Sequence, residues 1–167
     1  SQYTNIIDAI SHGASDGMKI SVNVIAMLIG FIALMALINA LLGLIHPNLG
    51  LNTIFGYVFY PLAWVMGVPS EEVMKVATMM GQKLTINEFV AYTNLIAAKA
   101  TMSPKALAIA SFALCGFANF SSVGIQIGGI GELAPSRRAD LAKLGLKALL
   151  CGTLASYLSA TIAGILM

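Results

Sequence analysis

Charge is what this sequence has least of, because aspartate, glutamate, lysine and arginine together make up only 10% of its 167 residues. A soluble domain usually carries about a quarter of charged residues, which it needs to cover its surface. Hydrophobic residues make up 58% of the chain instead. The composition argues against a soluble domain and predicts an all-α membrane protein with several transmembrane helices.

Basic tracts, cysteine pairs and catalytic constellations are also missing. A net charge of +2 without a Lys/Arg-rich run argues against a nucleic-acid partner. The only cysteines, Cys115 and Cys151, lie inside apolar runs, where small apolar filler is expected rather than a disulfide or a metal site. Neither a Ser-His-Asp pattern nor paired carboxylates occur, so we expect neither an enzyme nor a resident cofactor.

The long uncharged runs predict the spans. Residues 20–45, 106–131 and 148–167 carry no charge. The first run would measure about 39 Å as a helix, which crosses a hydrocarbon core of about 30 Å with some tilt. Residues 1–19 are a polar, cytoplasmic lead-in, while glycine and proline interrupt residues 51–68, which predicts an interfacial or broken helix.

Residues 70–98 contain two helical patterns in series, each too short to span a membrane. Ser70 is a candidate cap for the first of them, and Glu88 lies inside the second. Two short helices joined near membrane depth predict a re-entrant hairpin, which is allowed only where protein or water covers the backbone.

The basic residues predict the orientation of the chain in the membrane. Residues 132–147 carry Arg137, Arg138, Lys143 and Lys147, which predicts a cytoplasmic loop. The lead-in would then also be cytoplasmic, and the C-terminus would lie outside.

The most polar part of the run 106–131 is its centre, "GFANFSSVG" at 116–124. Asn119, Ser121 and Ser122 are costly in hydrocarbon unless they are satisfied. One interpretation is interhelical packing through hydrogen bonds and glycine contacts. The other is a discontinuous helix, unwound at its centre, whose freed backbone and side chains line a solute site.

Glu88 favours the second interpretation, because an ionisable residue inside a membrane segment indicates a functional site. Its carboxylate can accept hydrogen bonds from a diol, and Asn119 and Ser122 can complete the cluster. Phe117 is either a packing residue or a surface on which a planar ring stacks.

Three stretches resemble the C-terminal region of the concentrative nucleoside transporters. They are "KLTINEFVAY", "ALCGFANFSSVGIQIGGIGELAPSRRADLAKLGLKALL" and "GTLASYLSATIAGIL", and the resemblance covers essentially the whole chain. It implies an ion-coupled importer of nucleosides in the plasma membrane, the cytoplasmic membrane in a bacterium. It also implies a homotrimer in which each subunit carries two inverted repeats.

The resemblance further implies that this chain supplies the ribose side of the nucleoside site. Glu88 would bind ribose with Asn119 and Ser122 as its partners, and Phe117 would line the pocket near the base. The N-terminal half of the transporter would supply most base contacts and the site of the coupling ion, sodium or a proton. The chain opens at Ser1 rather than at methionine, so we expect it to be a piece of a longer protein.

A second class of function remains open at this point. The chain could form a channel or a structural membrane subunit in which Asn119 and Ser122 only join helices. A carrier gives saturable, competable uptake, whereas the flux through a pore scales with the gradient.

Overall fold

The computed structural model describes residues 5–167, and over that range it contains helices and no strand. The first four residues of the predicted lead-in lie outside the described range. The helices are α1 (Ile6–Ile45), α2 (Leu51–Val65), α3 (Val73–Thr85), α4 (Glu88–Ala98), α5 (Pro104–Leu114), α6 (Phe120–Leu133) and α7 (Arg138–Leu166). Single 3₁₀ turns, Lys99–Thr101 and Pro135–Arg137, precede α5 and α7. The prediction of an all-α chain is confirmed for the described residues.

Helix α1 begins at Ile6, where the side chain of Asn5 accepts a hydrogen bond of 2.8 Å from the Asp8 amide. It therefore continues through the boundary at residue 20 that separates the lead-in from the predicted span. Its 40 residues measure about 60 Å. None of its side chains is buried within the described part of the chain. By length and composition, α1 and the segment Pro135–Leu166 are the two described helices that are able to cross a membrane.

Helix α2 lies in the segment predicted to be interfacial or broken, and it continues through Pro61 as one element. It packs against α3 with the two backbones nearly in contact. A Cβ at Gly81 would lie 3.1 Å from Phe55 Cβ and 3.2 Å from the Gly56 nitrogen. Glycine at this crossing lets α2 and α3 pack as one unit.

Helices α3 and α4 are joined by Ile86 and Asn87 and cover most of the predicted hairpin. Asn94 donates a hydrogen bond of 2.8 Å to Gln82 and ties the two helices together. The expectation that Ser70 caps α3 is wrong, because the helix begins at Val73 and its N-cap residue is Glu72.

The Glu72 carboxylate instead ties the start of α3 to the start of α5. It accepts hydrogen bonds from the Ser103 amide, at 2.9 Å, and from the Ser103 hydroxyl, at 2.5 Å. Ser103 is itself the N-cap of α5, with its hydroxyl 3.2 Å from the Ala106 amide. The two helices therefore start from a shared anchor.

The predicted span 106–131 falls on two helices. Helix α5 ends at Leu114, residues 115–119 are not helical, and α6 begins at Phe120. We call residues 115–119 the break.

The core lies beside this break and includes residues of α2, α3, α5 and α7. It is apolar and close-packed, and it includes fully buried residues such as Val76, Met80, Ile109, Ala113 and Ala160. Helix α7 begins at Arg138, so most of the predicted loop 132–147 is helical and continuous with the last predicted span. Gly164 of α7 fits against Ile109 of α5, where a Cβ would fall 2.7 Å from two side-chain carbons.

Candidate binding site at the break between α5 and α6

A capping box fixes the end of the break at which α6 begins. The Asn119 side-chain oxygen accepts a hydrogen bond of 2.7 Å from the Ser122 backbone amide. In return, the Ser122 hydroxyl accepts a hydrogen bond of 3.0 Å from the Asn119 backbone amide. The Ser122 hydroxyl also donates its own proton to the Asn119 carbonyl, at 2.7 Å. These bonds satisfy amides that a helix start otherwise leaves unpaired. The hydroxyl proton of Ser122 is thus committed, and this hydroxyl can meet a ligand only as an acceptor.

Glu88 joins the hairpin to this helix start. Its Oε2 accepts a hydrogen bond of 2.8 Å from the Asn119 side-chain amide, across 31 residues of sequence. A carboxylate offers about four lone-pair positions. No hydrogen bond to Oε1 occurs among the described residues. Glu88 is only partly buried, so a ligand hydroxyl can approach the open oxygen.

Two helix N-termini meet at the Glu88 carboxylate. Glu88 is the first residue of α4, whose N-cap Asn87 accepts a hydrogen bond of 2.9 Å from the Val90 amide. Through Asn119 it also contacts the N-terminus of α6. Helix N-termini carry partial positive charge and favour an anion. The Glu88 carboxyl group therefore lies where the partial positive charge of two helix N-termini meets.

Phe117 and Ser122 line a cavity of about 460 Å³ between α6 and α7. The Phe117 ring is 54% exposed. Most of the other lining side chains are apolar, with Gln126 as a further polar residue. Glu88 and Asn119 do not belong to this lining. The four predicted site residues are nevertheless linked, because Asn119 contacts Ser122 on one side and Glu88 on the other.

Asn119 is 1% exposed, which distinguishes it from Glu88 and Phe117. The sequence predicts a direct contact with ribose for this residue. Its burial favours a different role, in which the side-chain amide of Asn119 holds the Glu88 carboxylate in one orientation.

Sequence reasoning missed Lys83, which is 1% exposed and lies near the end of α3. Its ammonium donates a hydrogen bond of 2.9 Å to the Ala113 carbonyl in the last turn of α5. It also lies 5.5 Å from the centroid of the Tyr157 ring. The signal that singled out Glu88, an ionisable residue inside a short membrane-depth helix, applies equally to Lys83.

Residues 5–167 contain no group of three or more His, Cys, Asp or Glu side chains able to hold a metal ion. The chemistry that the break offers is hydrogen bonding by a carboxylate, an amide and a hydroxyl, beside an aromatic ring.

Comparison with known proteins gives a consistent set of relatives. The chain is 53% identical over 165 residues to the uncharacterised transporter YutK of Bacillus subtilis (strain 168), covering 96% of this chain and 41% of that protein. It is 42% identical over 174 residues to the nucleoside permease NupC of Helicobacter pylori, covering 98% of this chain and 42% of that protein. It is 40% identical over 185 residues to solute carrier family 28 member 3 of Eptatretus stoutii, covering 99% of this chain and 27% of that protein.

Solved structures of the transporter CNTnw have the same fold. A double variant in an outward-facing state gives a TM-score of 0.92 at 44% identity, covering 98% of this chain and 43% of that chain. An inward-facing, substrate-bound state gives a TM-score of 0.71, again at 44% identity, covering 98% and 40%. The chain therefore spans less than half the length of these relatives.

These relatives are transporters and a permease rather than enzymes, as the sequence predicts. Residues 1–164 match the family described as "Na+ dependent nucleoside transporter C-terminus". The chain therefore belongs to the family of sodium-dependent nucleoside transporters and corresponds to their C-terminal region.

Proposed function

We propose that this chain is the C-terminal half of a sodium-coupled importer of nucleosides, and that it supplies the ribose side of the binding site. The observation that carries the proposal is the Glu88–Asn119 hydrogen bond at the break, which leaves Oε1 of the carboxylate open. The family description supports sodium as the coupling ion. We propose that the sodium site lies in the N-terminal half of the transporter. The protein is a multi-pass homotrimer in the plasma membrane, which is the cytoplasmic membrane if the source is bacterial.

The vicinal hydroxyls of ribose suit the geometry at Glu88. A hydroxyl of the sugar donates to Oε1 while Asn119 keeps Oε2 in place. Ser122 accepts a hydrogen bond from a second hydroxyl, since its own proton is committed to the Asn119 carbonyl. Phe117, exposed beside Ser122, offers its ring to the base.

Two further elements belong to the proposal. Helices α3 and α4 form a re-entrant hairpin, and α5 and α6 are the two halves of one discontinuous membrane helix. The short lengths of these helices and the polar break support this interpretation, because irregular backbone at membrane depth is tolerated only at a protein-covered or water-filled site.

Transport would follow alternating access, in which the hairpin and the discontinuous helix move past a scaffold that includes α1. The chain resembles outward-facing CNTnw more closely than inward-facing CNTnw. The TM-scores are 0.92 and 0.71, although the sequence identity is 44% in both comparisons. Sequence divergence does not explain that difference, so the corresponding half of CNTnw differs in shape between its two states, which supports alternating access for this chain. Glycines line the α6 surface that meets α1, where Gly124 fits against Phe31 and Gly128 against Met27.

Uptake of uridine into proteoliposomes containing the full-length transporter tests the proposal. Saturable uptake that requires an inward sodium gradient, and that unlabelled nucleoside competes away, is the expected result. Flux that rises linearly with uridine concentration and ignores competitors would indicate the channel instead.

A further inference from the structure

Lys83 has no part in the site described above, although it is the largest fully buried side chain of the described residues. It lies two residues before the end of α3, close to the tip of the hairpin that carries Glu88 on its other side. A buried ammonium must be stabilised by its neighbours, because removing a charge from water is costly unless partners replace the water.

The neighbours of the ammonium lie at the end of α5 and in the break. Nζ donates to the Ala113 carbonyl, in the last turn of α5, at 2.9 Å. A Cβ placed on Gly116, in the break, would lie 3.4 Å from Nζ. The ammonium therefore lies directly at the C-terminal end of α5, where helix carbonyls are left without amide partners and partial negative charge collects.

Helix α7 places an aromatic ring beside the ammonium and carries two hydroxyls of its own that are unpaired within the described part of the chain. The Tyr157 ring faces the ammonium, with 5.5 Å between Nζ and the ring centroid. Within residues 5–167, the buried hydroxyls of Tyr157 and of Thr153, one turn earlier, have no hydrogen-bond partner. An ammonium has three donors and only one is used on the Ala113 carbonyl.

The hairpin tip thus supplies opposite charges to the two half-helices. Lys83 meets the carbonyl end of α5, and Glu88, on the other side of the tip, meets the amide end of α6. In discontinuous transporter helices, the carbonyl end of a half-helix commonly coordinates a coupling cation. Here a covalently attached ammonium occupies that position.

We propose that Lys83 is a built-in cation that takes the place of a bound coupling ion in this half and holds the break in the shape that binds ribose. The inference rests on the proposed function, since it concerns how the same site is held. Lys83 is a positioning residue: it acts on the ligand through the α5 end, the break and Glu88. It follows that this half needs no dissolved cation to form its site.

The test is chemical rescue in the full-length transporter. Lys83→Ala removes three methylenes and the ammonium, which together correspond to n-propylammonium. We expect uridine binding to weaken by about tenfold or more, and millimolar n-propylammonium to restore it. 1-Propanol, which fills the same space and can donate to the Ala113 carbonyl but has no charge, should not restore it. Lys75→Ala is the matched control, because Lys75 lies on the same helix and contacts Thr101 near the surface.

Three results would overturn the inference: folded Lys83→Ala that binds uridine like the parent, rescue by 1-propanol equal to rescue by n-propylammonium, or no rescue by either compound. If Lys83→Ala is not recovered folded, Lys83→Met fills the volume without charge, and parental affinity in that variant overturns the inference in the same way. A parent transporter that binds no nucleoside at all would instead contradict the proposed function.

Discussion

Asn119 holds two separate bonds, and two substitutions separate their contributions. Its side-chain oxygen caps α6 through the Ser122 amide, and its side-chain nitrogen fixes Glu88. Asn119→Ala removes both bonds. Asn119→Ser keeps a hydroxyl at the cap, where serine and asparagine are about equally good, and removes only the bond to Glu88.

The structure gives the expected size of each effect. Loss of the cap should cost about 1 kcal/mol of stability, within a range of about 0.5–2, in the alanine variant alone. Loss of the Glu88 bond leaves the carboxylate to be ordered by the ligand, which costs about 0.5–1.5 kcal/mol for one side chain. Nucleoside affinity should therefore fall about 2- to 13-fold, and by the same factor in both variants.

Isothermal titration of the purified full-length transporter with uridine measures the affinity. Thermal unfolding without ligand compares the stabilities, and the upward shift in saturating uridine gives an independent check, because it follows RT ln(1 + [L]/Kd). Asn94→Ser is a matched control: it removes another side-chain amide of the hairpin, bonded to Gln82 at 2.8 Å, away from the break.

Parental uridine affinity in Asn119→Ser would refute the reasoning. In that case the Asn119 side chain matters only through the cap, and it joins helices without orienting the Glu88 carboxylate. If Asn119→Ser weakens the binding of 2′- or 3′-deoxyuridine less than that of uridine, the result supports the reasoning. A ligand that lacks the hydroxyl has no hydrogen bond to the carboxylate to lose.

Further perturbations address the carboxylate, the topology and the packing. Glu88→Gln keeps the size of the side chain and an acceptor for Asn119, but it should weaken uridine binding by about 1–3 kcal/mol, the range for losing a hydrogen bond to a charged group; unchanged uridine uptake contradicts the ribose assignment. Single cysteines at Ser136 and Lys99, in a cysteine-free transporter, should react with an impermeant maleimide from opposite sides of the membrane; labelling from one side rejects the predicted topology. Gly164→Ala should lower the thermal midpoint, with a cost of about 1–3 kcal/mol for overpacking, because a Cβ there would lie 2.7 Å from carbons of a buried isoleucine on α5. Gly13→Ala, where nothing lies within 4 Å in the described structure, should leave the midpoint equal or higher, and an equal loss in both glycine variants speaks against the packing argument.

Local chemistry made the break predictable. An asparagine three residues before a serine, between glycines and inside an apolar run, is costly in hydrocarbon unless the backbone uses both side chains, and α6 starts there with both of them in its capping box. The family match followed from the same residues, since "GFANFSS" and "NEF" are specific where general hydrophobicity is not.

Long-range contacts explain what the sequence could not give. Ser70 is a good local candidate for an N-cap, but Glu72 bonds to Ser103 far along the chain, and that tie sets where α3 begins. Lys83 shows the same sequence signal as Glu88, but its partner, the Ala113 carbonyl at the end of α5, lies 30 residues further along the chain. An uncharged run shows which residues can lie in the membrane, but it does not show where the helix begins. The charged lead-in therefore gave no sign that α1 begins at Ile6.

The three ties between the α3–α4 segment and the α5–α6 segment also bear on the order in which the protein is made. Glu72, Lys83 and Glu88 each find their partner 30 or 31 residues later in the chain. A ribosome therefore delivers the three charged side chains before the groups that stabilise them. A lysine or an acid at the centre of a membrane costs about 2.5–3.5 kcal/mol on insertion scales. The hairpin should consequently wait at the membrane surface or in the translocon until α5 and the start of α6 have emerged, and it should enter the membrane with them as one unit.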